Sequence, residues 1–311
     1  MTQDVCGTSR RVTHYHEVQA QTVVNRTRNV YFAWSVNPYR GCIHACTYCY
    51  ARATHAFLGY GPGEDFEREI VVKVNAPEVM RRELRQPALR GETLTFGTVT
   101  DPYQPAETRY RLTRQLLRVA GEAGNPVTIT TKSTIVTQDL PLLTQLARRS
   151  GCAVNMTITT LDADIARRLE PRTPRPEQRL GAIAALAQAG VPVGLFLAPI
   201  LPGITDGPGV LEALIEQAAA HGAGYLISSA VRIGRGFADP LLQAVARDFP
   251  EMHRRYQRQA DAGGYLSDIE LQRLKVRVGT ARVRAGLASG PPRRPNLRPI
   301  QLPLPLRLRA A

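Results

Sequence analysis

Short apolar runs rich in β-branched residues recur through the middle of the chain, at Leu94–Val99, Val127–Thr131, Ala153–Ile158, Val191–Ala198 and Tyr225–Val231. Between them apolar residues return every three to four positions, the period of a helix. Leu112, Leu116, Val119 and Ala120 share one such face. Asp139-Leu140-Pro141 opens the next helix, which buries Leu142, Leu143 and Leu146. A third runs from about Pro176 to Gly190, and a fourth starts near Asp206-Gly207-Pro208 and buries Val210, Leu211, Leu214 and Ile215. An acid or amide cap followed by proline in the first turn marks a helix start.

Nearly unbroken apolar strands separated by helices predict a parallel sheet with right-handed crossovers. Another strand, Val30–Val36, precedes the five and leads into a helix expected to carry Cys46 and Cys49. Six strand–helix steps are too few for a closed eight-stranded barrel, so the fold class is α/β, an open, partial (βα)6 barrel. Glu69–Asn75 is a further extended segment with no assigned place. The pattern divides the chain into an N-terminal extension (1–29), the barrel (30–235), a helical C-terminal region (236–281) and a basic flexible tail (282–311). In such sheets ligands gather at the C-terminal ends of the strands, so chemistry is sought just after each strand.

The 311 residues are 43% hydrophobic, which excludes disorder as a whole-chain description. Forty Lys+Arg against 26 Asp+Glu give +14, and because Lys73, Lys132 and Lys275 are the only lysines, 37 arginines carry that charge. No acid follows Glu270, and the Pro/Arg-rich end reads either as a nucleic-acid contact or as a solvated tail. The charge-free stretch Leu180–Thr205 is broken by Gly190, Pro192, Pro199, Pro202 and Gly203, so it does not read as a membrane span. The N-terminus carries no signal-peptide pattern, and a cytoplasmic location is the expectation. An odd five cysteines argue for ligands or reactive thiols rather than a disulfide framework.

Three of those thiols stand together in Asn37-Pro38-Tyr39-Arg40-Gly41-Cys42-Ile43-His44-Ala45-Cys46-Thr47-Tyr48-Cys49-Tyr50, directly after the first barrel strand. Thiolates select zinc, copper(I) or iron–sulfur clusters. Zinc would take a fourth ligand from His44 or His55. A four-iron cluster held by Cys42, Cys46 and Cys49 would instead keep one iron without a protein ligand. The remaining signals are weaker. Gly59-Tyr60-Gly61-Pro62-Gly63 is a connecting turn or lid rather than a phosphate loop, no Gly-Lys-Ser/Thr follows any glycine loop, and His14, His16, His221 and His253 form no nucleophile pattern.

Cys42-x3-Cys46-x-Tyr48-Cys49 resembles the radical S-adenosylmethionine (SAM) superfamily, over roughly residues 30–235. Asn37 to Cys42, Gly97-Thr98-Val99-Thr100-Asp101-Pro102-Tyr103-Gln104-Pro105 and Ala198-Pro199-Ile200-Leu201-Pro202-Gly203 resemble its branch related to spore photoproduct lyase, often labelled DNA repair photolyase. The resemblance implies a [4Fe–4S] cluster whose open iron chelates SAM, one-electron cleavage to a 5′-deoxyadenosyl radical, and an electron donor such as a flavodoxin or ferredoxin. It implies Tyr48 beside the adenine, and Thr98, Thr100 and Asp101 near the SAM ammonium, with a helix cap as the other reading of Asp101. Asn155, Thr157 and Thr159 are candidates for the ribose hydroxyls, although polar barrel filling fits them equally, as it fits Ser228 and Ser229. Spore photoproduct lyase returns a hydrogen atom from a cysteine some dozens of residues past its cluster, and this chain has none between Cys49 and Cys152. Cys152 opens a strand at the far end of the barrel and reads as a core thiol, while Cys6 has no assignment. Tyr103 and Tyr110 are the candidates for radical relay. Three functions stay open: a radical SAM enzyme acting on a nucleic-acid base or another large substrate, one modifying a peptide or small molecule, and a zinc-binding nucleic-acid module.

Overall fold

Residues 12–28, 30, 32–234 and 236–292 are described by the computed structural model. Cys6 and the Pro/Arg-rich end from Arg293 onward lie outside them. In chain order the strands are β1 (His14–Val18), β2 (Val24–Arg26), β3 (Trp34–Val36), β4 (Tyr39–Arg40), β5 (Glu69–Lys73), β6 (Leu94–Phe96), β7 (Val127–Thr131), β8 (Cys152–Thr157), β9 (Val193–Ile200) and β10 (Tyr225–Ala230). Six of them, β3, β6, β7, β8, β9 and β10, lie side by side in sequence order, every pair parallel. Helices connect each of these strands to the next from β6 onward. The sheet stays open: β10 forms one edge, and β2 closes the other by running antiparallel to β3. This is the expected α/β partial barrel.

The apolar runs explain the arrangement. All six residues of β8 are buried, as in a strand covered on both faces. Leu116, Leu143, Ile183, Leu186, Leu211 and Leu214 of the crossover helices pack with Phe96, Ile129, Val154 and Leu195 in the main core. Burial of each such side chain stabilises the fold by about 1.5–3 kcal/mol. Cys152 belongs to this core, and Leu180–Thr205 resolves into the end of a helix, a turn and β9. No helix among the described residues is long and apolar enough to cross a membrane.

Glu69–Asn75, unplaced in the sequence, yields β5 of a second sheet. β5 lies between β1, parallel to it, and β4, antiparallel to it. Ile70 and Val72 of β5 are fully buried with Tyr39, Ile43 and Leu112. Residues read as an N-terminal extension therefore supply strands to both sheets.

Two further readings are corrected. Cys46 and Cys49 do not lie in a helix: a 3-10 helix begins only at Tyr50 and runs to Leu58. Ahead of it Cys42, Cys46 and Cys49 accept single-turn bonds from Ala45, Cys49 and Arg52, while the Arg52 guanidinium takes up the Cys46 carbonyl at 2.9 Å. The second concerns the boundary at residue 282, which falls inside the last helix, Asp268–Arg284. Beyond it Leu287 is buried, Leu226 donates its amide to Ala288 at 2.9 Å, and Ala288 donates to Gly224 at 3.1 Å. One leucine in an Arg/Ala-rich context gives little periodic signal, which is why this docking is not visible in the sequence.

A chain ending at residue 281 should therefore melt at clearly lower temperature than one ending at 292, since it loses a buried leucine and both bonds to the β10 edge. On the scale of large core deletions the difference is about 2–5 kcal/mol. Thermal unfolding of the two truncations measures it.

Candidate functional site

Two phrases singled out in the sequence, Asn37 to Cys42 and Gly97 to Pro105, are bonded to each other. Asn37 leaves β3 and donates to Ser35 Oγ at 2.8 Å and Thr98 Oγ1 at 2.9 Å, while its carbonyl oxygen accepts the Thr98 and Val99 amides, each at 3.2 Å. Thr100 and Gln104 both donate to the Gly41 carbonyl, at 2.6 and 3.1 Å, and the Gln104 side chain accepts the Ile43 amide at 3.1 Å. Gly41 has φ +78°, and a β-carbon there would stand 2.9 Å from two backbone oxygens, of Phe66 and Glu69. Gly97, at φ +87°, passes so close to β7 that a β-carbon would lie 2.1 Å from the Thr130 oxygen. Only glycine serves at either position.

Asp101 closes the end of β6. Its buried carboxylate accepts the Tyr103 amide (2.9 Å), the Thr131 hydroxyl (2.6 Å) and the Lys132 amide (2.8 Å), and faces His44 Nδ1 at 3.3 Å. Burial works against its charge, but His44 and these donors prevail and hold its pKa at about 2. A second buried carboxylate, Glu170, accepts the Tyr48 hydroxyl, bonds Thr159 Oγ1 at 3.0 Å and pairs with Arg179 at 2.5 Å. Burial again opposes the charge, and Arg179 and Lys132 outweigh it, bringing Glu170 to about 2. The Lys132 ammonium lies 5.5 Å over the Tyr48 ring. Desolvation disfavours its charge, yet Cys46 and Glu170 beside it raise its pKa above the ordinary lysine value. Burial pushes the Cys46 thiol up to about 12, and Cys42 rises for the same reason.

These groups surround one cavity of about 280 Å³. Cys42, Cys46, Tyr48 and Cys49 line it from the loop, Thr98, Thr100 and Asp101 from the end of β6, Thr131 and Lys132 from β7, and Thr157 from β8. Phe196, Pro199, Ser229 and Arg232 complete the wall from β9 and β10. The thiols thus face the C-terminal ends of the parallel strands. Thr98, Thr100 and Asp101 are present, but their side-chain oxygens are already engaged in holding the loop. Asn155 and Thr159 stand outside the lining. Asn155 donates to Thr130 Oγ1 at 3.0 Å and accepts the Tyr225 hydroxyl at 2.7 Å inside the barrel.

Tyr103 and Tyr110 do not reach this cavity. After Asp101 the chain turns outward, so Tyr103 enters the main core and donates to Asp139 at 2.9 Å, and Tyr110 donates to Glu17 at 2.9 Å beside β1. His44 is committed to Asp101, and His55 faces the Glu69 carbonyl at 3.0 Å among aromatic rings. Among the described residues no three His, Cys, Asp or Glu side chains converge on a single metal ion. Cys42, Cys46 and Cys49 line the cavity together with His44, whose Nδ1 faces Asp101, while His55 stands outside the lining; three thiols are a donor set suited to an iron–sulfur centre. Lys132 was legible in principle, as one of three lysines and the first residue past β7. Glu170 and Arg179 carry no sequence signal, because they meet only through burial.

The two carboxylates generate a pH dependence. Glu170 titrates at about 2 in the fold against 4.5 ordinarily, so its stabilisation is complete above pH 4.5 and is lost as pH falls through about 2. Glu170→Gln should flatten that acid limb in denaturant unfolding and cost about 3–5 kcal/mol at neutral pH, because Arg179 stays buried without its partner. Asp101→Asn removes the charge and turns an NH2 toward at least one of its donors, and should destabilise by about 2–4 kcal/mol in the same measurement.

Comparison with known proteins follows the same line. The model of the radical SAM superfamily matches residues 36–214. An uncharacterized protein of Mycobacterium tuberculosis is 38% identical over 267 residues, 85% of this chain and 78% of that protein. The radical SAM Nalpha-GlyT isomerase of Pseudomonas phage M6 is 26% identical over 214 residues, 68% of this chain and 42% of its own length. Among solved structures, spore photoproduct lyase with bound AdoMet and dinucleoside spore photoproduct shares the fold at TM-score 0.62 and 17% identity, covering 87% of this chain and 79% of that one. With more than half of its length matched by the family's model, the chain belongs to the radical SAM superfamily of enzymes.

Proposed function

We propose that Cys42, Cys46 and Cys49 hold a [4Fe–4S] cluster, that SAM binds against it in the cavity, and that the chemistry acts on a nucleic-acid base. The observation that carries the first two parts is that Cys42, Cys46 and Cys49, and no fourth thiol among the described residues, line the cavity at the strand ends. Held there by Cys42, Cys46 and Cys49, the cluster would supply the single electron for reductive cleavage of SAM.

The chain's own residues position and insulate. Lys132 offers a fixed ammonium to the SAM carboxylate. Its place is set by the Tyr48 ring beneath it and by Glu170, which holds the Tyr48 hydroxyl. Asp101, Thr98 and Thr100 keep the cysteine loop in register rather than offering free side-chain oxygens, at the side of the cavity where the SAM ammonium would lie. Thr157 is the remaining candidate for a ribose hydroxyl from β8. Phe196, Val231 and the apolar loop residues keep water from the reacting atoms. A flavodoxin or ferredoxin supplies the electron.

Support for a nucleic-acid substrate comes from the net charge of +14, carried almost wholly by arginine. It comes also from the shared fold of a lyase bound to a dinucleoside. Arginine is suited to bidentate phosphate contact.

Anaerobic reconstitution of the full chain should give about four irons and four sulfides per chain and 5′-deoxyadenosine on reduction with SAM. Cys42→Ala, Cys46→Ala and Cys49→Ala should each abolish that product, and Cys152→Ala should retain it. Stoichiometric zinc without iron or sulfide overturns the reading. Titration against DNA and RNA at several salt concentrations should show steep weakening as salt rises. Absence of binding moves the substrate to a peptide or small molecule.

A further inference from the structure

The rim of the cavity on the β10 side carries a feature that SAM binding does not use. Arg232 lines the cavity and is exposed, so it sits at the mouth. Its guanidinium lies 4.7 Å over the ring of Tyr265, which is 61% exposed. Among the described residues Arg232 has no carboxylate partner. One face of the tyrosine is thus occupied by a cation, and much of the rest of the ring is open to solvent.

The pair stands on fixed backbone. Ile233, next to Arg232, donates its amide to the Gly264 carbonyl at 2.9 Å. The buried Gln259 side chain donates to both Val231 and Gly264, at 3.2 and 3.1 Å. Residues 231–233 and 264–265, more than 30 positions apart, are held together at both flanks of the stack. Solvated arginines and tyrosines on a surface lose little by moving freely; this pair is held at the entrance to the chemistry.

Resting on the nucleic-acid reading above, we propose that Arg232 and Tyr265 form a platform that receives an unpaired or extruded nucleotide at the cavity mouth. The open tyrosine surface stacks the base, and the guanidinium beside it offers its N–H groups to a flanking phosphate. A base inside a duplex hides both of its faces in the stack and cannot reach such a platform. Chemistry on the base therefore requires it to leave the stack.

The test is fluorescence anisotropy of the full, cluster-loaded chain with a labelled single-stranded DNA of about 12 nucleotides, within the site sizes common for single-strand binders. The same sequence as a full duplex, the duplex with one unpaired nucleotide, and an acidic peptide of equal charge complete the set. The single strand and the interrupted duplex should bind more tightly than the full duplex. Tyr265→Ala should weaken them about tenfold without changing the salt slope, and Tyr265→Phe should restore the affinity. Arg232→Ala should weaken binding and lower the salt slope by about one. Oligonucleotide affinity unchanged by Tyr265→Ala and Arg232→Ala overturns the platform alone. A wild-type chain that makes 5′-deoxyadenosine yet binds no oligonucleotide, or that binds only the acidic peptide, removes the nucleic-acid substrate together with the platform.

Discussion

A single buried carboxylate ties the site to the barrel. Asp101 gathers the Tyr103 and Lys132 amides, the Thr131 hydroxyl and the His44 ring around two oxygens that are almost out of solvent. A charge so placed costs several kcal/mol unless every neighbour stays where it is. The end of β6, the end of β7 and the cysteine loop must therefore move as one piece. Gln104 and Thr100 extend the lock to Gly41, and Asn37 extends it back to β3.

Charge is ordered around the cavity from that point. Two anions, Asp101 and Glu170, are already satisfied by donors and cations of the protein, and the Lys132 cation also lines the cavity itself. An anionic or zwitterionic ligand meets an attraction that is already in place. The supporting residues need not rearrange to provide it.

How much of this could be read beforehand depended on how local the cause was. The barrel strands were visible because parallel strands covered on both faces become continuous apolar runs, as in β8 and β9. β1 was hidden, because His14-Tyr15-His16-Glu17-Val18 is mostly polar and its partner β5 lies some 50 residues away. Two cysteines three positions apart suit a helical turn and a single turn equally, so the helix assigned to Cys46 and Cys49 could not be tested by spacing. Tyr103 and Tyr110 were chosen for following a strand end, but direction after the strand is decided by the Asp101 turn, which sends one into the core and the other toward β1. The cysteines themselves were legible because their chemistry depends on a short local spacing. Glu170 and Arg179 were not, since a buried ion pair is defined by what surrounds it.

Contacts to four other parts of the chain anchor the cysteine loop: Gly41 against Phe66 and Glu69, Ile43 on Gln104, Cys46 on Arg52, and Thr47 on the Leu169 carbonyl. All three thiols belong to one short segment rather than bridging separate parts of the fold. The course of the loop is thereby set by contacts other than its thiols, unlike in small zinc domains whose chain collapses only around the ion. An alanine in place of any one of the three thiols therefore leaves every one of these anchors in place.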